Sequence, residues 1–240
     1  MSSNCDPSID CLLAAEYSDE IFPYMKELER NLAPSYSDMN NQPEITWPKR
    51  AILMEWVIKV HVQLRLLPET LFLTINYIDR FLSVEVVPLG RLQLLAAAAI
   101  FIAGKYEEVR GPSIRNVAKC VEKNLPIEEI LKTERFILQV LDYQLGWPGS
   151  LYFLRRINKV DGYNIEIFTL ANYFLEVTIL HPRFVTFPPS HTAGGLSQIQ
   201  RLISPILRFC SDEVIGHSSI YDKTARHSVK QTFFRSSPMG

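Results

Sequence analysis

A carboxylate stands where an apolar side chain belongs. Between Pro126 and Leu141 the residues Ile127, Leu131, Glu134, Leu138 and Leu141 recur at helical spacing and form one stripe, and a single acid interrupts it. A carboxylate withdrawn from water without a partner costs several kcal/mol in effective terms. Glu134 therefore needs a cation, and Lys105, closing a long apolar segment, is the candidate by type and position. In one reading the two form a partly buried intramolecular ion pair that fixes helix register. In the other they hold an acid and a base near a surface that a partner completes. The readings are compatible.

Other chemistry finds no support. The glycines are scattered, Gly194-Gly195 follows no strand, and no phosphate-cradling loop, H-E-x-x-H, G-x-S-x-G or kinase signature set is present. No catalytic residue, cofactor or metal site is expected. His61, on a helix, reads as a surface or core histidine rather than a ligand. The cysteines at 5, 11, 120 and 210 show neither metal spacing nor a dense framework, which suits free thiols in a reduced compartment.

The elements that must position Lys105 and Glu134 are helical, because period-2 alternation never persists while apolar residues recur at three and four. From Glu16 to Arg30, Tyr17, Ile21, Tyr24 and Leu28 share a stripe, with Pro23 expected to bend the helix or split it in two. A Pro, Ser and Asn-rich connector, Pro34 to Pro43, follows. A helix from about Pro48 to Leu64 is expected to bury Ile52, Trp56 and Val60, with Arg50, Glu55 and Lys59 on its polar side. The next, from Pro68 to about Leu82, aligns Leu71, Ile75, Ile78 and Leu82.

Pro88 opens a third helix whose run Leu92 to Ala103, 12 residues, is apolar all round and rich in alanine. That is the pattern of a rod encased by close neighbours, and it falls short of the roughly 20 residues a bilayer span needs. A short helix to about Val121 and a fifth opened by Pro126 complete a bundle. A second bundle begins after Trp147-Pro148, where Phe168, Asn172 and Tyr173 repeat Phe72, Asn76 and Tyr77 at one offset, hinting at duplication.

With 25 Lys+Arg against 26 Asp+Glu and 47% apolar residues, the 240-residue chain can bury a sizeable core and has no strong polyanion- or membrane-binding charge. The acids between Met1 and Cys11 do not suit a signal peptide. Charge is uneven: residues 1–180 hold 18 bases and 23 acids, whereas residues 181–240 hold 7 and 3 together with four of the five histidines.

The run Lys49-Arg50-Ala51-Ile52-Leu53-Met54-Glu55-Trp56 resembles the M-R-A-I-L-x-[DE]-W element of the cyclin box. Leu67-Pro68-Glu69-Thr70-Leu71, Ile78-Asp79-Arg80-Phe81-Leu82-Ser83, Leu92-Gln93-Leu94 and Ala103-Gly104-Lys105-Tyr106-Glu107-Glu108 follow in the order and approximate spacing of that family. Phe153-Leu154-Arg155-Arg156-Ile157, with Asp161-Gly162-Tyr163 after it, resembles the start of the second box of mitotic B-type cyclins, especially fungal ones; the likeness covers roughly residues 16–190.

The resemblance implies an all-α cyclin fold. Its expected parts are a flexible leader (1–15), an N-terminal helix and connector (16–45), a complete five-helix first box (46–147), a partial second box (148–195) and a divergent, disordered tail (196–240). It implies a non-enzymatic regulatory subunit that binds and activates a cyclin-dependent protein kinase at G2/M, in nucleus and cytoplasm, without membrane or nucleic-acid partners. A scaffold or transcription-factor-type module, or a cyclin that binds without activating, is the alternative.

By the same resemblance the kinase-facing residues are Lys105 and Glu134, with Tyr106, Glu108, Leu138, Tyr143 and Leu145, and Tyr17, Ile21 and Tyr24 on the N-terminal helix. Arg50 and Asp79, with Leu94, match positions that stabilise the box. A groove for Arg-x-Leu substrate peptides would use Ile52, Leu53, Trp56, Leu92 and Gln93.

Three departures stand out. The methionine expected at the groove is Lys49, and the acid expected to face the peptide's arginine is Lys59, so docking should be weak or altered. Ala96 replaces a glycine at a close helix contact. At His191-Thr192-Ala193-Gly194-Gly195 the chain leaves the apolar rod expected at the centre of the second box, which should leave Phe168, Leu170, Phe174 and Leu175 uncovered.

Overall fold

The computed structural model describes residues 17–35, 42–121, 126–160 and 165–195, and every regular element among them is helical. The expectations for the leader, for the tail, for Asp161-Gly162-Tyr163 and for Cys5, Cys11 and Cys210 lie outside these residues. The helices are α1 (Ser18–Asn31), α2 (Trp47–Leu64), α3 (Pro68–Val84), α4 (Leu92–Glu107), α5 (Ile114–Lys119), α6 (Ile127–Val140), α7 (Ser150–Val160) and α8 (Ile165–Leu180), with single 3-10 turns at Leu89–Arg91 and Pro182–Phe184. The chain divides into two compact units. One holds residues up to Gly149 together with Ile179–Pro189, the other Ser150–Thr178 and the residues from Ser190.

In the first unit α4 is the rod, packed against α2, α3, α5 and α6. Ala96, Ala97, Ala98, Ala99 and Ala103 are fully buried, as small side chains allow when neighbours approach closely. With its preceding turn the rod forms a 19-residue stretch, Leu89–Glu107, long and apolar enough to cross a membrane by length and composition; its burial against four helices is that of a core helix. Helix α3 is enclosed almost all round, from Glu69 to Asp79. Two polar anchors tie it to the chain before α2: midway along, Asn76 Nδ2 donates to O of Leu32, the residue that caps α1, at 2.9 Å, and at the C-terminal end Gln42 Nε2 donates to the carbonyls of Leu82 and Glu85 at 2.7 and 2.6 Å.

Several sequence expectations need correction. Pro23 does not split α1, which runs unbroken through it; the proline is exposed, so the one backbone bond it removes frees a carbonyl on the wet side. In α2 the inward residues are Arg50, Leu53, Met54, Val57 and Val60, while Ile52 is 68% exposed. The reason is Arg50. Its Nε and Nη2 donate to the two carboxylate oxygens of Asp79 at 2.7 and 2.6 Å, and Nη1 donates to Ile179 O at 3.0 Å. That buried pair sets the rotation of a helix whose apolar residues are spread over several faces.

In α6 the inward stripe is Ile130, Glu134, Ile137 and Leu141, and Leu131 is exposed. Two apolar stripes share Glu134, and periodicity alone does not choose between them. In the second unit Leu175 is fully buried, alongside Ala171, Leu151, Leu154 and Ala193, rather than uncovered; Phe168, Leu170 and Phe174 are half-buried. Residues 189–195 are helical, and both glycines lie within that helical segment. Cys120 is a free thiol, its pKa raised by partial burial.

Candidate functional site

Lys105 and Glu134 meet. The lysine Nζ donates to Glu134 Oε1, with the carboxylate side chain 7% exposed and the lysine 48% exposed. Phe101, one turn earlier on α4, places its ring under the ammonium at 4.5 Å from the centroid, a cation–π contact. The pair is thus buried at its acidic end and open at its basic end. Gly104 makes this possible from below: a Cβ there would lie 2.4 Å from Pro112 Cδ, so only glycine lets the loop after α4 fold back against the helix end.

The end of α6 supplies the neighbouring surface. Asp142 and Tyr143 are left-handed, with φ of 50° and 57°, and the Tyr143 N–H donates to Leu138 O at 2.9 Å to close the helix. This turn sends the Tyr143 ring outward, 65% exposed. Helix α3 pins the segment that follows: Tyr77 Oη donates to Leu145 O at 2.9 Å and Arg80 Nη1 to Gln144 O at 2.7 Å. Burial lowers the Arg80 pKa from its ordinary value, with the Tyr77 hydroxyl opposing. Gly146 lies under the exposed Tyr106, whose hydroxyl would be 3.1 Å from a Cβ at that position. Lys105, Glu134 and Tyr106 therefore share a surface region with the segment that carries Leu145. Leu138 is half-buried on α6.

Glu108 bonds within the bundle. Its Oε1 accepts from the Leu67 N–H at 2.6 Å and from Thr70 Oγ1 at 2.7 Å, at the start of α3. His61 Nε2 bonds to Leu67 O at 2.8 Å, and its pKa is lowered by burial, against the opposing pull of the Leu67 carbonyl and the carboxylates of Glu108 and Glu69. His61 thus proves a structural histidine. Ile21 and Tyr24 sit on a separate helix, α1, and Tyr17 is its N-cap, with both tyrosine rings exposed.

The groove residues fall on α2 and α4, which pack together. Ile52, Trp56 and Lys59, at i, i+4 and i+7, share one face of α2; Trp56 packs on the cluster of Ala97, Phe101, Val117 and Val121. Leu53 and Leu92 are buried, Gln93 and Leu94 begin the rod, and Lys59 is exposed. Lys49 Nζ donates to Glu44 O at 2.7 Å.

Sequence reasoning missed one participant, Phe101, which was readable as the aromatic four residues before Lys105. Among the described residues no group of His, Cys, Asp and Glu is placed to hold a metal ion. What this arrangement can do is bind: an ion pair with one open end, beside exposed aromatic rings on rigid helices, offers charge-assisted bonds and anchors to another protein.

The family model for the cyclin N-terminal domain matches residues 20–146, and that for the cyclin C-terminal domain matches 148–231. The G2/mitotic-specific cyclin-4 of Candida albicans is 47% identical over 203 residues, 85% of this chain and 42% of that protein. The G2/mitotic-specific cyclin-B of Emericella nidulans is 47% identical over 194 residues, 81% of this chain and 41% of that protein. The chain therefore spans less than half the length of these curated relatives. A viral cyclin from herpesvirus saimiri has a similar fold, with a TM-score of 0.67 at 16% identity over 87% of this chain and 90% of that one.

Proposed function

The chain belongs to the cyclin family, and from that premise we propose that it is a regulatory subunit, not an enzyme, that binds and activates a cyclin-dependent serine/threonine kinase at G2/M. The observation that carries the reading is the Lys105–Glu134 pair, closed on the Glu134 side, open on the Lys105 side, and flanked by exposed Tyr106. The G2/mitotic names of the relatives support the cell-cycle phase.

In this reading the pair bonds to main-chain groups of the kinase's movable helix, while Tyr106, Tyr143, Leu138 and Leu145 supply the apolar centre and Tyr17, Ile21 and Tyr24 extend it. Held there, that helix turns its glutamate toward the ATP-site lysine and the activation loop orders, the two conditions for phosphoryl transfer. The chain supplies position and the kinase supplies the chemistry. Substrates would reach the Ile52–Trp56 face, with Lys59 altering which peptides dock, and the complex would work in nucleus and cytoplasm.

Co-purification of the full chain with the mitotic cyclin-dependent kinase of Candida albicans, followed by histone phosphorylation, tests this. A stoichiometric complex that phosphorylates histone is the expected result. Failure to form a complex overturns the reading, and a complex without activity restricts it to binding.

A further inference from the structure

Helix α3 begins at Pro68 with Leu67 as its N-cap, and leucine has no side-chain acceptor with which to cap. The first turn of any helix carries unpaired N–H groups and the positive end of the dipole. Here the N–H of the N-cap residue itself finds its acceptor at the end of another helix. Glu108, the residue that ends α4, takes the Leu67 N–H and the Thr70 hydroxyl on one oxygen, at 2.6 and 2.7 Å. From the opposite side His61 of α2 holds the Leu67 carbonyl at 2.8 Å. Leu67 is therefore gripped by its backbone, its own side chain half exposed.

The Glu108 N–H in turn bonds to Gly104 O at 3.2 Å, so the residue that carries the carboxylate is itself tied to the last turn of α4. Lys105 and Tyr106 project from that turn, three and two residues before the cap.

We propose that Glu108 is a positioning residue: by capping α3 from the end of α4, it fixes the turn that aims Lys105 at its partner. The inference rests on the kinase-binding reading of the Lys105–Glu134 pair. It differs from a direct role in what the carboxylate must be. A capping oxygen can belong to a neutral amide; a charge presented to the kinase cannot.

The test measures affinity of the full chain for the Candida albicans mitotic kinase, at a temperature where circular dichroism shows each variant folded. Glu108→Gln, which keeps an acceptor oxygen, is expected to bind within about twofold of wild type. Glu108→Ala should bind about tenfold more weakly, Thr70→Val should also be weaker, and the double variant should be no weaker than Glu108→Ala alone. Glu108→Gln as weak as Glu108→Ala, or Thr70→Val without effect, overturns the proposal. If Glu108→Ala does not fold, Glu108→Gln binding about tenfold more weakly than wild type, or Thr70→Val without effect, overturns the proposal. Lys105→Ala in the same assay keeps the two ideas apart: wild-type affinity there removes the kinase-binding reading itself, whatever Glu108 does.

Discussion

The ammonium of Lys105 lies 4.5 Å from the ring centroid of Phe101, one turn earlier on the same helix, while it binds the Glu134 carboxylate. The two ends of the pair are therefore unequal. Lys105→Ala strands a carboxylate that is 7% exposed, and should destabilise the chain by about 1–3 kcal/mol. Glu134→Ala leaves a half-exposed lysine that water and Phe101 still serve, so the loss should be about 1 kcal/mol or less, in the range of partly exposed pairs. Kinase affinity should fall in both. Denaturant melts and kinase titrations of the two variants check the asymmetry, and equal destabilisation would contradict it.

Tyr143 separates stability from binding more sharply. Its φ of 57° is a conformation that glycine adopts freely and a tyrosine adopts at a penalty. Tyr143→Gly should leave the melting temperature unchanged or raise it, by up to about 1 kcal/mol in stability. The same change removes an exposed aromatic ring, and kinase binding should weaken by about tenfold or more. A variant that melts early, or binds as wild type, argues against the ring being presented for contact.

His61 predicts a pH dependence whose sign follows from its burial. Its folded pKa lies below the ordinary imidazole value, chiefly through desolvation. Below about pH 6.5 the unfolded chain takes up a proton that the folded chain binds less readily, so stability falls as the solution is acidified through that range and is level above it. His61→Gln keeps a donor for the Leu67 carbonyl and removes the titration. Thermal melts from neutral to mildly acid pH should slope less in the variant; parallel slopes would show that another group carries the dependence.

How much of this was legible beforehand depends on what the side chains had to decide. The encased rod was readable, because Ala96 to Ala99 and their apolar flanks allow no wet face. Glu134 was readable as an anomaly, and Lys105 as its partner, because an acid in an apolar stripe needs a cation whatever the fold. Rotation of α2 was not readable: its apolar residues are spread over several faces, and the choice is made by Arg50 reaching Asp79 on another helix. The capping role of Glu108 was hidden for the same reason, since its partners Leu67 and Thr70 lie 41 and 38 residues away. Long-range polar bonds settled what short-range periodicity left open.

The Ile52, Trp56 and Lys59 face carries a prediction about charge. Lys59 is exposed, so its repulsion of an incoming arginine is screened and should amount to a few-fold in affinity. Lys59→Glu should bind an Arg-x-Leu peptide more tightly than wild type, with the difference shrinking as salt is raised. Identical affinities at low salt would dispose of the charge argument.

Gly194 and Gly195 lie in a helical segment, neither has a left-handed φ, and a Cβ added to either meets nothing within 4 Å. Glycine in a helix interior costs about 0.5–1 kcal/mol relative to alanine, through the backbone entropy lost on folding. Gly194→Ala and Gly195→Ala should each stabilise this segment by about that amount, and the two should add, because no steric conflict offsets the gain. Amide hydrogen exchange across residues 189–195, compared between wild type and the double variant, reads the effect locally. Slower exchange in the variant would mean that these glycines weaken a helix the chain nevertheless forms. Unchanged exchange would mean that the segment is held by something other than its own helical propensity, and faster exchange that the alanine methyls disturb it.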